Sequence, residues 1–276
     1  MLAFLGVPPP TTAAGRVARG GRPLCAWPSR CVRTWRPARP PGRNRRCVSP
    51  GAPFILIPRA TVREDPSAVE HTRITDRSVL YHTKASIYSS YYRSTFVSRP
   101  YVPLAQRPST SVWAAPLDTP IADLLTVATD PRGETFSYAH SEQWLAASLA
   151  DLFGDTLIAR RIRAPYVTPT HSRRLTRSVR DFSPAVWEAE RAEVALVGSL
   201  AKFAANPALA AALVGTASGP AGPRTLVGAS PRDREWGVGL SMDDPGVEDP
   251  EAWRGNNVLG EVLVRVRDVL MAQPRG

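Results

Sequence analysis

The segment from Asp233 to Gly260 constrains this chain more than any other, because it holds two tryptophans and five glycines together with a cluster of carboxylates. A tryptophan brings a large flat face and one N–H donor, which suits stacking against a flat ligand. Glycine lets the main chain approach a ligand closely, and the amides of Asn256 and Asn257 add donors and acceptors. The composition therefore favours a ligand-binding loop.

An apolar stripe begins as this loop ends. Leu259, Leu263, Val266 and Leu270 recur at helical spacing, which predicts a helix packed on a core. The alternative is a long surface loop whose tryptophans only cap a core. We favour a binding site, since glycine and polar residues in this pattern contribute little to a core.

The basic residues are concentrated at the start of the chain. Residues 1–63 contain twelve arginines and neither a lysine nor an acid, and the first acidic residue is Glu64. Because the formal net charge of the whole chain is +11, residues 64–276 are almost neutral. The high overall charge therefore gives no reason to expect nucleic-acid binding by the folded part.

Residues 1–63 combine arginine, proline and glycine in a composition that cannot bury enough apolar surface to fold alone. We predict a disordered Arg/Pro-rich arm, or a segment that resembles an organellar transit peptide. Two alternatives stay open: an arm that makes weak contacts with nucleic acid or anionic surfaces, and a misassigned start codon. The apolar run MLAFLGV is too short for a signal peptide, so we expect an intracellular protein, cytoplasmic unless the arm directs organellar import.

All three cysteines lie in the arm, at Cys25, Cys31 and Cys47. The rest of the chain therefore offers neither a disulfide framework nor a cysteine-based zinc site. No apolar run reaches membrane-spanning length, and we expect no membrane partner.

Residues 64–115 are predicted to be a partly ordered transition to the folded domain. Short β-like runs rich in tyrosine, valine and serine are broken there by proline. Five tyrosines of this segment could form a strand face or line a ligand site, and packing in a core or at a sheet edge is the preferred interpretation. They are Tyr81, Tyr88, Tyr91, Tyr92 and Tyr101.

A helical domain is predicted over residues 116–272. A β-like run at Thr135–Tyr138 precedes a helix that Ser141 can cap. Glu142 falls in the first turn of that helix, where the helix dipole favours an anion, and Gly154 ends it. The buried face is predicted to contain Trp144, Leu145, Leu149, Leu152 and Phe153.

Two further helices carry start signals. Ser183-Pro184 and Asn206-Pro207 each place proline at the first helical position after an N-cap residue, and Gly215 is a stop signal. A group of arginines upstream could bind phosphate or form a solvated basic face. It consists of Arg173, Arg174, Arg177 and Arg180.

Four blocks of residues match the pattern of a known family, in order and with the correct spacing. They are RSVRDFSPAVWEAER, KFAANPALAAALVGT, ASPRDREWGVGL and WRGNNVLGEVLVRVRDVL. The region from about Leu117 to Leu270 thereby resembles the NADAR superfamily, also called DUF1768, which is typified by a bacterial N-glycosidase of riboflavin-biosynthesis intermediates. The resemblance implies a mainly α fold with a few short strands, as one compact domain preceded by the basic arm.

The resemblance also implies a hydrolase that cleaves the N-glycosidic bond between a base and a phosphorylated ribose, as in riboflavin-biosynthesis intermediates. The ligand would be a phosphoribosyl base or ADP-ribose, and neither a metal nor an organic cofactor is implied.

Functional residues are implied at the positions that match the family motifs. Glu142 matches the acid of the S-E-H-Y motif and would activate water or stabilise the sugar cation. Asp233 matches the aspartate of D-x-x-W-G and would orient the ribose hydroxyls. Two loop tryptophans would sandwich the base, and an arginine would meet the phosphate. The implied substrate-binding residues are Trp236, Gly237, Trp253, Gly255, Asn257, Trp187 and Arg177.

Several positions depart from the family pattern. The histidine, glutamine and lysine that usually follow the acid are replaced by Gln143, Ala146 and Leu149, and the acid before the S-P block is replaced by Gly228. These losses of polar groups could change the substrate or abolish turnover. Two alternatives therefore stay open: a catalytically inactive module that binds a nucleotide or ADP-ribose, and an ADP-ribosyl-guanine hydrolase that holds nucleic acid through residues 1–63.

Overall fold

The computed structural model describes residues 71–107 and 111–274. The interpretations of the arm and its cysteines lie outside the described residues. Within them, the regular structure consists of seven α-helices, five short strands and two single-turn 3₁₀ helices, so the prediction of a mainly α fold with a few strands is confirmed. The helices are α1 (Ile121–Ala128), α2 (Ser141–Leu152), α3 (Thr156–Arg163), α4 (Pro169–Thr176), α5 (Pro184–Ala204), α6 (Pro207–Gly215) and α7 (Val258–Ala272). The strands are β1 (Thr72–Ile74), β2 (Ser78–Tyr81), β3 (Phe96–Ser98), β4 (Phe136–Tyr138) and β5 (Thr225–Gly228).

Helix α5 is the centre of the core. It packs against α1, α2, α6 and α7, and every residue from Glu193 to Phe203 is buried. A helix buried on all sides cannot be amphipathic in the usual sense, so its second half is mostly alanine, leucine and valine. The helix gives α2 and α7, which flank the candidate site, a common support.

Gly198 explains how closely α2 approaches α5. A Cβ atom at this position would lie 2.1 Å from Cδ1 of Trp144, far inside the contact distance of two carbon atoms. The indole of Trp144 is fully buried and donates a hydrogen bond to the carbonyl of Val194 at 3.0 Å. The absent side chain therefore makes room for the largest aromatic group of the core.

Two buried carboxylates of α5 hold the segment that precedes α1. Glu190 accepts hydrogen bonds from the Tyr101 hydroxyl at 2.6 Å and from the Leu104 N–H at 3.1 Å. Glu193 forms an ion pair with Arg107 at 2.6 Å and accepts from the backbone N–H of Val112 at 2.6 Å. A carboxylate in a core is tolerated only with such partners, so these contacts fix residues 101–112 on the helix where the structure describes them.

The strands form two small sheets. In the first, β2 pairs antiparallel with β1 and parallel with β5, and all four residues of β2 are buried. In the second, β3 pairs antiparallel with β4. Strand β2 belongs to the segment that the sequence indicated as a transition, and the chain continues directly from it into the wall of the candidate site.

Three helix boundaries that local signals predicted agree with the structure, and one predicted cap does not. The starts at Pro184 and Pro207 and the end at Gly215 are confirmed. The cap of α2 was predicted wrongly: His140, in extended conformation, is the N-cap, and its Nδ1 accepts from the N–H of Gln143 at 3.0 Å. Ser141 is instead the first helical residue. His140 serves as the cap in place of Ser141 because the carbonyl of Val167, 3.0 Å from Nε2, holds the imidazole in position.

No single helix among the described residues has both the length and the apolar composition needed to cross a membrane. Helices α5 and α6 satisfy the two criteria only when taken together, and they are bent by 113° at the break between them. Buried core helices of folded domains satisfy the same criteria.

Candidate functional site

A cavity of about 220 Å³ lies where β2, α2, α4 and the glycine-rich loop meet. Most of its lining residues carry polar groups, among them hydroxyls, two arginines and two carboxylates. Four of the residues implied by the family resemblance are brought together in it, namely Glu142, Asp233, Trp236 and Gly237. The remaining lining residues are Tyr81, His82, Thr83, Ser89, Ser90, Tyr91, Arg173, Gly228, Ser230, Arg232 and Leu259.

Glu142 enters the cavity from the first turn of α2. Its backbone N–H donates to the carbonyl of Ser90 at 3.0 Å, and the Ser90 hydroxyl donates to its Oε2 at 3.0 Å. Burial raises the pKa of the Glu142 carboxyl to about 7. Arg173 and the Ser90 hydrogen bond oppose that rise, whereas the negative charges of Asp233 and Glu235 add to it. The carboxyl therefore exchanges its proton close to neutral pH.

Asp233 divides its two oxygens between the loop and the cavity. Its Oδ1 accepts from the N–H groups of Trp236 at 2.9 Å and Glu235 at 3.3 Å. This is the turn geometry that aspartate side chains often stabilise. Its Oδ2 lies 3.8 Å from Nη1 of Arg173. One carboxylate thus holds the Trp236 turn in place and presents a negative oxygen beside an arginine in the cavity.

A second, smaller cavity of about 110 Å³ adjoins the first. Glu142, Arg173 and Trp236 line both. The ring of Trp187 lies 6.4 Å from that of Trp236, centroid to centroid, with the planes inclined at 59°. The wall not shared with the first cavity consists of Leu145, Ala146, Leu149, Thr176, Trp187 and Glu235.

Trp253 lines neither cavity, whereas Trp236 lines both, so the predicted sandwich of a base between these two rings is corrected by the structure. Its indole N–H donates to the carbonyl of Val247 at 2.9 Å. The ring packs against a small second core that contains Leu80 and Val227. The indole N–H of Trp253, which was predicted to bind the ligand, instead forms a hydrogen bond within the loop.

Gly255 and Asn257 also lie outside both cavities and organise the loop from behind. A Cβ atom on Gly255 would be 2.4 Å from the carbonyl oxygen of Gly237, so only glycine allows these two stretches to touch. Asn257 has φ of 50°. Its Oδ1 accepts from the N–H of Gly228 at 3.0 Å, and its Nδ2 donates to the carbonyl of Leu226 at 2.9 Å. Both residues therefore act on the cavity through Gly228 and Gly237.

Arg177 is exposed at the end of α4 and lines neither cavity. Arg173, four residues earlier and one helical turn away, lines both. The sequence indicated a group of arginines that could bind phosphate in this region. Which of them lines the cavities is decided by the orientation of α4, which the sequence does not give. Arg232, Ser90 and Tyr91 carried no motif signal, because they enter the cavity from loops.

Of the residues that depart from the family pattern, one is buried in the core and three line the cavities. Gln143 is buried and structural: its Oε1 accepts from the N–H of Ala139 at 2.9 Å, and its Nε2 donates to the carbonyl of Ile162 at 2.8 Å. Ala146 and Leu149 line the smaller cavity, and Gly228 lines the larger. In the described part of the chain, no three histidine, cysteine, aspartate or glutamate side chains come together as ligands for a metal ion.

Comparison with known proteins gives one family match. A sequence model of the NADAR domain matches residues 83–271. N-glycosidase R617 of Acanthamoeba polyphaga mimivirus is 36% identical over 138 residues, which cover 49% of this chain and 77% of the viral protein. Protein irg-1 of Caenorhabditis elegans is 29% identical over 209 residues, which cover 72% of this chain and 85% of the nematode protein. The NMR structure of the E. coli protein YbiA superposes with a TM-score of 0.46 at 19% identity, over 74% of this chain and 91% of YbiA.

Proposed function

This chain belongs to the NADAR family, and from that premise we propose that it hydrolyses the N-glycosidic bond between a base and a phosphorylated ribose. The observation that carries the proposal is the position of Glu142, which lies on the wall common to two adjoining cavities with Asp233 and Trp236 beside it. The similarity to a viral N-glycosidase supports the same reaction class.

The chemistry assigns each carboxylate a task. Cleavage of a ribosyl N-glycoside passes through an oxocarbenium-like state, which a nearby carboxylate stabilises. Ionised Glu142 takes a proton from water while the water oxygen bonds to the anomeric carbon. The bonding electron pair leaves with the base nitrogen, which takes up a proton from solvent, and Glu142 returns the proton of the attacking water to solvent. Asp233 presents Oδ2 to the ribose hydroxyls, because its Oδ1 is occupied by the turn.

The larger cavity has the chemistry to hold a phosphorylated sugar. Arg173 and Arg232 supply charge, and Ser89, Ser90 and Ser230 supply hydroxyls. Guanidinium groups bind phosphate through charge-assisted hydrogen bonds. We therefore assign the phosphate to these two arginines in place of Arg177. The finer proposal, that the ligand is a riboflavin-biosynthesis intermediate or ADP-ribose, fits the same set of groups.

A catalytically inactive binding module is the second candidate, since the replacements at Ala146 and Leu149 remove polar side chains from the cleft. Gln143 argues against this second candidate, because its side chain forms hydrogen bonds to the backbone of Ala139 and Ile162. Loss of the family's histidine at that position therefore takes nothing from the cavity of this chain. Hydrolysis of ADP-ribosylated guanine in nucleic acid is a third candidate and would involve residues 1–63.

One panel of substrates separates these functions. Purified protein is incubated with a phosphoribosyl intermediate of riboflavin synthesis, with ADP-ribose and with ADP-ribosylated DNA, and release of the base is followed by chromatography. Product from a small substrate is expected, and its rate should rise with pH through about 7 as Glu142 ionises. Binding of ligands without product would favour the inactive module.

Glu142→Gln tests the assignment of the base. We expect a loss of at least about a hundredfold in kcat with ligand affinity retained, because the amide keeps the shape of the side chain and cannot accept a proton. Glu261→Gln, an exposed change on α7, is the matched control and should keep full activity. Turnover by Glu142→Gln at the unaltered rate would refute the role.

A further inference from the structure

We propose that Lys202 is a positioning residue for the base of the proposed reaction: from α5 it holds the turn that presents Ser90 to Glu142. The proposal rests on the assignment of Glu142 above and deepens it, because it names what keeps that carboxyl group in place. Lys202 lines neither cavity, so it acts through Ser90 and not on the substrate.

Lys202 carries a buried amine without an acidic partner. The residue is only 2% exposed, and burial lowers the pKa of its ammonium group to about 7. In the part of the chain that the structure describes, no ion pair includes Lys202. Burial of an amine costs free energy unless the amine is hydrogen-bonded, so its hydrogen-bond partners indicate what it does.

Both hydrogen bonds of Lys202 are made to one short segment. Its Nζ donates to the carbonyl of Ile87 at 2.7 Å and to the carbonyl of Ser89 at 3.1 Å. The same atom lies 5.7 Å from the centre of the Tyr92 ring, which is within the range of a cation–π contact. A neutral amine still has two N–H donors, so both hydrogen bonds persist above the pKa. Lys202 therefore holds residues 87–92 on α5 in either protonation state.

The segment that Lys202 holds is a double turn. The N–H of Ser89 donates to the carbonyl of Ser86 at 3.0 Å, and the N–H of Tyr92 donates to the carbonyl of Ser89 at 3.2 Å. The Ser89 carbonyl thus closes the second turn and also receives Lys202. Ser90 is the residue that follows this carbonyl, so the direction of its side chain depends on the turn.

Ser90 connects this turn to Glu142 by two contacts. Its carbonyl accepts from the Glu142 N–H at 3.0 Å, and its hydroxyl donates to Oε2 of Glu142 at 3.0 Å. The hydroxyl contact lowers the pKa of the Glu142 carboxyl against the effect of burial. The other titratable groups coupled to this carboxyl are Tyr91, Arg173, Asp233 and Glu235. Release of the turn from α5 would therefore remove the Ser90 hydrogen bond and raise the pKa of Glu142.

The test follows the titration of Glu142 in the full-length protein, so that it does not depend on turnover. Glutamate carboxyl carbons are labelled with ¹³C, and the Glu142 resonance is identified by its absence from the spectrum of Glu142→Gln. We expect a wild-type midpoint at about pH 7. Ser90→Ala should raise the midpoint by about one pH unit, because a hydrogen bond to the ionised form is lost.

Lys202→Met should raise the midpoint by a similar amount, because methionine fills the space of lysine and donates no hydrogen bond to either carbonyl. The double variant with Ser90→Ala should show no further rise. A through-space effect of the lost ammonium charge would instead add to the effect of Ser90→Ala. Arg267→Met is the matched control. It removes another buried cation, whose Nη1 donates to the carbonyl of Arg224 at 2.7 Å, and should leave the midpoint at about pH 7.

Lys202→Gln keeps the test decisive if Lys202→Met fails to fold. Its stem is one bond shorter than that of lysine, so its amide cannot reach both carbonyls, and a smaller rise in the same direction is expected. An unchanged Glu142 midpoint in the folded Lys202 variant, or additive rises in the double variant, would overturn the proposal. Failure of the proposed function has a different signature: no substrate is hydrolysed at any pH, while the Glu142 midpoints still shift as described.

Discussion

At the scale of a single residue, Glu142 shows how burial prepares a carboxyl group for chemistry. The start of a helix, the Ser90 hydroxyl and Arg173 all favour the ionised form. Burial outweighs them and raises the pKa to about 7. A base with a pKa near the working pH combines a sufficient ionised fraction with a real affinity for the proton. With its ordinary pKa of 4.5 the carboxyl would be almost completely ionised at neutral pH and a weaker base.

The raised pKa of Glu142 predicts a pH-dependent stability. Between pH 4.5, its ordinary pKa, and about 7 the folded protein keeps the proton that the unfolded chain has released. Stability contributed by this group therefore falls as pH rises through that window. Glu142→Gln lacks the effect, and its stability relative to wild type should increase by roughly 2 to 3 kcal/mol between pH 4.5 and 8.

Urea unfolding of both proteins at the two pH values measures this difference. The contributions of other groups, including the buried amine of Lys202 whose pKa is lowered to about 7, are common to both proteins and cancel. A stability difference that does not change with pH would show that Glu142 titrates at its ordinary value in the folded protein.

At the scale of the element, the glycine-rich loop and α7 form one unit with β5. Gly260 lets the first turn of α7 approach the strand, because a Cβ atom there would lie 2.1 Å from the carbonyl oxygen of Leu226. Asn257 then bridges helix and strand with both ends of its amide. The strand residue that Asn257 holds, Gly228, is part of the cavity wall.

We predict that Asn257→Ala destabilises the protein by roughly 2 to 3 kcal/mol, because it removes two buried hydrogen bonds and leaves their backbone partners unsatisfied. It should also weaken ligand binding through the displaced cavity wall. Asn256→Ala, an exposed neighbour, should change stability by less than about 0.5 kcal/mol. Equal unfolding midpoints for the two variants in urea would contradict the bridging role.

Elements with local signals were predictable, and those that depend on distant contacts were not. Proline at positions 184 and 207 marks a helix start by its own fixed geometry. The motifs likewise pointed to Glu142, Asp233, Trp236 and Gly237, which the structure places in the cavity. Trp253 and Arg177 were misplaced, because the orientation of a loop indole or of a helix face is decided by packing against residues far away in sequence. The His140 cap was missed for the same reason, since it depends on Val167.

At the scale of the whole molecule, the segment before α1 is secured to the core by buried charge. The side chain of Arg107 is 0% exposed and that of Glu193 is 4% exposed. Removing one member of such a pair leaves the other charge uncompensated in a medium that solvates it poorly. Ser89, Ser90 and Tyr91, which line the cavity, lie upstream of this segment in the chain, so its attachment bears on the site as well as on stability.

Glu193→Gln is therefore expected to destabilise the protein by roughly 3 kcal/mol or more. Asp243→Asn is the matched control, because the Arg73–Asp243 pair is 51% and 85% exposed and should contribute less than about 1 kcal/mol. Thermal and urea unfolding of the two variants compare a buried with a surface pair in one fold. Equal losses would show that Glu193 is not the anchor.

The parallel pairing of β2 with β5 has a consequence for biosynthesis. Strand β2 pairs with a partner that is made much later, since Ser78 lies opposite Thr225, about 150 residues further along the chain. A ribosome that adds about 5 to 20 residues per second needs on the order of ten seconds to deliver that partner. During this interval the nascent chain carries an apolar strand without its neighbour, and any truncated product that lacks the last two elements keeps that vulnerability permanently.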